Sequence, residues 1–242
     1  MTRRRSFTAR FRQNLEALGL TGTDARVLVA VSGGCDSVAL LHLLRFGAGP
    51  GGPRMLAAHF DHAMRPGSDA DARWVAGLCR GWEVPLHAAR AETAPATEAE
   101  AREARYAFLL RAKEAAGATH VATAHHADDQ AETVLFRVLR GTGVAGLAGI
   151  PARDGRGIVR PLLPFWRNEV RAYARIHRLR WRTDPTNALL DPARNRIRHE
   201  LLPLAEAHVA AGARRSLVRL AALAAEEEQA WGARVHAALA EA

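Results

Sequence analysis

Lysine is almost missing from this chain. Lys113 is the single one among 242 residues, and arginine supplies the rest of the positive charge. Cysteine is nearly as scarce, with only Cys35 and Cys79. Two thiols in no metal-ligand or redox spacing exclude a disulfide scaffold and an iron–sulfur site, and they suit a reducing cytosol. No apolar run approaches the ~20 residues that span a bilayer, so no membrane partner is expected. The basic start, Met1-Thr2-Arg3-Arg4-Arg5, leads into no apolar stretch, which argues against a secretory leader. Acidic residues are also in deficit: the net charge is +9 and the pI about 11.0. Arginine codon preference in a GC-rich genome accounts for the missing lysines but not for that surplus. Residues 151–200 alone hold twelve Arg against five acids, a candidate polyanion-binding face.

What is present suits one α/β domain with an appendage, since 242 residues with 48% hydrophobic content, much of it Ala and Leu, can bury a sizeable core. The run Val27-Leu28-Val29-Ala30-Val31 reads as a buried strand, Ser32-Gly33-Gly34 as a turn, and Val38 to Leu44 as a Leu-rich helix. Consecutive turn amides and a helix N-terminus form an anion cradle, and glycine lets the backbone approach a phosphate closely. Ser32 and Ser37 place hydroxyls at its rims, and Asp36 offers one carboxylate to Mg²⁺ on a polyphosphate. The loop lacks the lysine of a Walker sequence and the glycine spacing of a dinucleotide fingerprint. Cys35 reads as a small filler with no base beside it in sequence.

Strand-like runs near 27–31, 55–60, 84–88 and 119–124 alternate with helical patterns near 37–46, 68–80, 97–116 and 128–140. A further strand near 157–160 and a helix near 167–178 close the pattern. Such βαβ units predict a doubly wound, mainly parallel sheet, with ligands beyond the carboxyl ends of the strands. Thr97 and Glu100 have capping-box spacing at the start of the third helix. From Leu201 the chain reads helical to its end, with no stop signal after Ala210.

Two clusters follow strand ends. In His59-Phe60-Asp61-His62-Ala63-Met64-Arg65, Asp61 or His62 is placed to meet a sugar and Arg65 a phosphate, against an equal reading of simple loop capping. In His125-His126-Ala127-Asp128-Asp129-Gln130-Ala131-Glu132-Thr133, the carboxylates of Asp129 and Glu132 share a helix face near its N-terminus. Ordinary capping covers Asp128. The segment fits a di-metal hydrolase, a general-base site using a His, or a cation site. The last suits an unpaired acidic pair, whose charge needs a positive partner. Arg102 and Arg105 taken alone read as solvated charges, and Arg194-Asn195-Arg196-Ile197-Arg198 favours phosphate contact.

The Ser32–Ser37 loop resembles the SGGxDS loop of the ATP pyrophosphatases (PP-loop enzymes). Taken with His59-x-Asp61-His62-x-x-Arg65, Arg102-x-x-Arg105-Tyr106, the 125–133 segment, Arg140-Gly141-Thr142-Gly143, Arg160-Pro161-Leu162-Leu163, Asp184-x-Thr186-Asn187 and Arg194-Asn195-x-Ile197-Arg198, the chain is similar over residues 20–205 to the tRNA(Ile)-lysidine synthases. The resemblance implies an adenine-nucleotide α-hydrolase-like catalytic domain over 1–200 and a helical stalk over 201–242. Further small domains that many relatives carry are absent here, as in a short form or a fragment. It implies a cytoplasmic ligase using ATP, Mg²⁺ and free L-lysine on a tRNA(Ile) with a CAU anticodon. ATP adenylates the C2 oxygen of the wobble cytidine, and lysine then displaces AMP. On this resemblance Ser32, Gly33, Gly34, Cys35, Asp36, Ser37, His59 and Arg65 bind ATP, with Mg²⁺ on Asp36. Asp36, Arg105 and His125 are catalytic, Asp129 and Glu132 bind lysine or cytidine, and Arg194, Arg196 and Arg198 touch the tRNA. A second copy of the chain is a candidate partner.

Three rivals remain. A tRNA thiolation enzyme shares the loop but uses cysteine pairs. A metal-dependent phosphohydrolase would rest on His59, Asp61, His62, His125, Asp128 and Asp129. An RNA-binding module would need no Asp36.

Overall fold

In the computed structural model, residues 6–22, 24–64, 67–182 and 192–240 are described. Five strands form one parallel sheet in the order β3-β2-β1-β4-β5. They are β1 (Arg26–Ala30), β2 (Arg54–Asp61), β3 (Leu86–Arg90), β4 (His120–Ala122) and β5 (Ile158–Val159). The order reverses at β1, so the switch point lies between β1 and β4, where doubly wound sheets bind ligands. β1 is central, which is why its residues are a continuous apolar run rather than an alternating one. Val27, Leu28 and Val29 are all fully buried.

Alternate β1 side chains feed two cores. Val27 and Val29 join Phe11 and Leu15 of α1 (Phe7–Ala17), Leu40 and Leu41 of α2 (Cys35–His42), Val75 and Cys79 of α3 (Ser68–Gly81), and Val170 and Tyr173 of α7 (Arg167–Ile176). Leu28 faces the other way, onto Tyr106, Leu109 and Ala112 of α4 (Glu98–Ala115). Each such aliphatic side chain stabilises the fold by about 1.5–3 kcal/mol when fully buried. Half of the expected capping box at α4 forms: the Thr97 hydroxyl accepts from Glu100 N (3.2 Å), but the Glu100 carboxylate accepts from Ala96 N (2.8 Å), one residue before the cap, rather than from Thr97 N. α2 runs on into a π-helical turn, Leu43–Gly47.

The chain divides into two compact units. The sheet-bearing unit holds residues up to His125 together with Ala152–Pro185, and the second holds His126–Pro151 and Thr186 onward. Within the second unit α5 (Ala127–Leu139) and α6 (Val144–Leu147) pack on the long α10 (Ala213–Ala240). α8 (Pro192–Arg196), a π-helical turn Ile197–Leu201 and α9 (Leu202–His208) complete this helical unit. The uninterrupted helix expected after Leu201 is broken at Val209–Gly212. Gly212 sits at φ +90°, and the Glu206 carboxylate accepts from Gly212 N (3.4 Å) and Arg214 N (2.8 Å), capping α10. Within this unit the glycine-rich stretch after α5 is tied back by Gln130, whose amide bonds Ala148 O and Ile150 O and accepts from Ile150 N. Arg137 does the same through Gly146 O and Gly149 O.

Candidate active site

In the sheet-bearing unit the chain leaves β1 into Ser32-Gly33-Gly34 and enters α2 at Cys35. Gly33 holds φ +91°, a region costly to any side chain, and a Cβ there would meet Val75 Cγ2 at 3.4 Å. Gly34 is the extended N-cap, so the first-turn amides of α2, which have no acceptor within the helix, face the mouth of the loop. Ser32 is exposed and Gly34 half-buried, so the loop is open to an anion.

The serines shape the loop before they meet anything else. Ser37 Oγ donates to Gly34 O (3.0 Å) and accepts from Ser32 N (3.2 Å), while Ser32 Oγ accepts from Gly34 N (3.3 Å). A contact that the sequence did not reveal completes the brace. Arg182 N donates to Gly33 O (2.9 Å), and its guanidinium reaches Asp71 of α3 (2.8 Å). Pinning that carbonyl fixes the peptide plane that carries the Gly34 amide. The signal for it, an Asp in α3 and an Arg far downstream, has no sequence spacing to read.

Cys35 is buried, and its thiol is pushed up to about 11. Burial is the main cause and the Asp36 carboxylate adds to it, with Arg171, Arg167 and Arg175 pulling the other way. A filler role fits a thiol that stays protonated. Asp36 is half-buried on the first turn of α2.

His59, buried near the end of β2, donates Nδ1–H to Val31 O (2.8 Å), which anchors the chain where β1 meets the loop. Asp61 accepts from Ala63 N (2.9 Å) and Ser68 Oγ (3.0 Å), so the capping reading holds for it. His62 differs: its Nδ1 is buried with no hydrogen-bond partner among the described residues. Burial and the nearby Arg105 charge lower its pKa. Arg65 and the segment Asp184-Pro185-Thr186-Asn187 lie outside the described residues. Arg102 and Arg105 lie over the buried Tyr106 ring at 5.0 and 5.5 Å, joined by Arg156 at 5.3 Å, so both guanidinium groups pack on an aromatic face. At the end of this unit Thr123 Oγ1 contacts His125 Nδ1 at 2.9 Å and steadies the ring.

The helical unit opens with His126, a fully buried N-cap. Asp129 and His126 form a reciprocal capping box: Asp129 Oδ2 accepts from His126 N (2.9 Å), and the imidazole accepts from Asp129 N (3.4 Å). Capping therefore falls to Asp129, where the sequence reading gave it to Asp128. The acidic pair is also not unpaired. Arg198 meets the buried Glu132 in a two-pronged contact (2.6 and 2.8 Å) and reaches Asp129 at 3.3 Å. Arg194 donates to Thr133 Oγ1 (3.0 Å) and stands 3.6 Å from Glu132. A buried carboxylate cannot stay ionised alone, so the π-helical turn and α8 supply the countercharge. Of the three arginines assigned to tRNA, Arg196 alone is exposed.

Among the described residues no three His, Cys, Asp or Glu gather as a metal set, and four of the six proposed hydrolase ligands, His59, Asp61, His125 and Asp129, are engaged as above. No helix among them is long and apolar enough to cross a membrane.

Comparison with known proteins gives a consistent picture. The PP-loop domain family model matches residues 5–205. The chain is 46% identical over 196 residues to the tRNA(Ile)-lysidine synthase of Gloeobacter violaceus, covering 79% of this chain and 60% of that protein. The enzyme of the same name from Chlorobaculum tepidum is 40% identical over 228 residues, covering 91% of this chain and 69% of that one. The Thermus thermophilus relative is 45% identical over 227 residues, covering 90% of this chain, yet 42% of its own length is spanned. The chain thus spans well under the full length of these relatives. Among solved structures, the U34-tRNA thiolase NcsA from Methanococcus maripaludis, which has a 4Fe-4S cluster, is similar with a TM-score of 0.73. At 16% identity, covering 90% of this chain and 78% of that one, it shows the fold alone.

Proposed function

The chain belongs to the PP-loop family and, within it, to the tRNA(Ile)-lysidine synthases, and from that premise we propose that it forms lysidine at the wobble cytidine of a CAU-anticodon tRNA(Ile) in the cytoplasm. The cytidine C2 oxygen attacks the α-phosphorus of ATP and pyrophosphate leaves. The amine of free lysine then attacks C2, a carbon–nitrogen bond forms, and AMP leaves with the oxygen.

The main-chain cradle at Ser32–Ser37 suits the β- and γ-phosphates, whose growing charge the first-turn amides of α2 stabilise. Asp36 gives one carboxylate, which fits a Mg²⁺ held mostly by phosphates and water. That ion would neutralise charge on the departing pyrophosphate. The buried, unpartnered Nδ1 of His62 is the better placed of the two sugar-binding candidates. We assign Arg105 and His125 to the α-phosphate, with the Tyr106 ring and Thr123 holding them in place.

The observation that carries the lysine reading is the carboxylate pair on α5. Asp129 and Glu132 already hold a guanidinium, so they have the chemistry of a cation site. Lysine must share or take these carboxylates from Arg198, and one ammonium proton must be lost before attack. A thiolase reading fits poorly: both cysteines are buried, and burial also pushes the Cys79 thiol up to about 11.

The test mixes the protein with ATP, lysine and a CAU-anticodon transcript. Mass spectrometry of the digested RNA is expected to show one cytidine heavier by a lysine less a water. Intact transcript with no such nucleoside, from protein that binds ATP, overturns the assignment.

A further inference from the structure

On α7, Arg167, Arg171 and Arg175 recur at every fourth residue, so they stack along one flank of the helix with ~6 Å of rise between neighbours. Val170, Tyr173 and Ala174 form the buried face beside them. Arg171 and Arg175 are exposed and Arg167 is half-buried. α7 packs on α2, the helix that opens at the triphosphate loop. Through this packing the three guanidinium charges act on Cys35, the first residue of α2, in the direction that lowers its thiol pKa, against the larger effect of burial.

The exposed part of this row lacks a counter-ion on its own helix. The one acid of α7, Glu169, is taken by Arg10 (2.6 Å) and by Trp166 N (3.0 Å). Among the described residues neither Arg171 nor Arg175 has an ion pair. Like charges four residues apart destabilise a helix. A row of them beside an anion site attracts a further anion, and guanidinium groups one turn apart suit successive phosphates of a strand. Exposed Arg178 and Arg180 extend the positive surface past the end of the helix.

We propose that the arginine row Arg167, Arg171 and Arg175 of α7 docks the sugar–phosphate backbone of the RNA substrate at the rim of the triphosphate loop. This rests on the tRNA reading above and adds a surface to it. The contact is sequence-independent: it holds the strand while base recognition happens elsewhere.

The experiment compares the parent protein with Arg171→Gln/Arg175→Gln and with Arg215→Gln/Arg219→Gln, an equal loss of exposed charge on α10. Binding of a CAU-anticodon transcript is titrated at several salt concentrations, with ATP binding and melting temperature measured on the same samples. The α7 double variant is expected to lose tenfold or more in RNA affinity, and its log K against log salt slope to fall by roughly one per arginine. The α10 control should lose threefold or less, and ATP affinity should stay within twofold in all three. Equal losses in both doubles would reduce the effect to net charge and overturn the proposal. A tenfold loss of ATP affinity with RNA binding intact would give the row to the triphosphate instead. A parent protein that binds no transcript sinks the tRNA reading itself, and the row with it.

Discussion

In the sheet-bearing unit the candidate anion site is built from main chain, whereas in the helical unit the candidate cation site is built from side chains. The loop after β1 offers amides, two serine hydroxyls and one carboxylate, and its shape comes from a glycine at φ +91°. The site on α5 consists of Glu132 and Asp129, and its shape comes from Arg198 and Arg194. A main-chain site is rigid and needs little countercharge. A side-chain site in a buried setting stands only while its partners stand.

The comparison breaks first at Gly33. Gly33→Val forces a β-branched residue into φ +91° with its Cβ 3.4 Å from Val75. Strain of about 1–2 kcal/mol is expected, and misplaced amides should lower ATP-dependent turnover roughly 100-fold. Thermal melting and nucleotide titration check both. If turnover survives, the site is not made of main chain.

Glu132→Gln strikes the helical unit instead. Removing one member of a buried pair costs about 3–5 kcal/mol, and because Arg198 is partly exposed about 2 kcal/mol is expected here. Urea unfolding measures it. Adding Arg198→Gln should recover part of the loss, and a cycle with no coupling would refute the pairing.

Acid sharpens the contrast. His42, at the end of α2, is held neutral: burial is the main cause and the His177 charge adds to it, lowering its pKa to about 4. Its folded pKa lies below its unfolded value of 6.5, so the unfolded chain binds the extra proton between these values. The contribution is complete above about pH 6.5 and is lost as pH falls from there to about 4. Melting temperature should fall steeply across that window in the parent and less steeply in His42→Leu.

Asp71→Asn loosens the brace on Gly33 without touching the loop. With Arg182 47% exposed, the ion pair is worth about 0.5 kcal/mol. A rise of roughly threefold in KM for ATP at constant kcat is expected, on the scale of such an energy. The smallest effect belongs to Cys35→Ala, with activity within about threefold of the parent and no thiol labelling of the parent at about pH 7.5.

What was legible in the sequence follows the same divide. β1, the double glycine and α2 were readable because strand burial, turn and helix start are each written within a few neighbours. The five strands fell within a few residues of their expected places, as did α2, α3, α4 and α7, but α1 (Phe7–Ala17) was not expected at all. The partnership of Glu132 with Arg198 was not readable, since the two lie 66 positions apart and no periodicity links them. Asp129 as the cap was missed because a reciprocal cap with a histidine lies outside the usual Ser or Thr pattern. The break at Val209–Gly212 was hidden by alanine on both sides.

One strand, one turn and one helix carry every letter of the nucleotide signature, yet the bolt that secures them, Arg182, is threaded in from a remote stretch of chain. A peptide cut out around the signature would keep the lettering and lose the fastening. On the proposed reading, a fragment that ends before Arg182 is expected to bind ATP more weakly than one that runs past it.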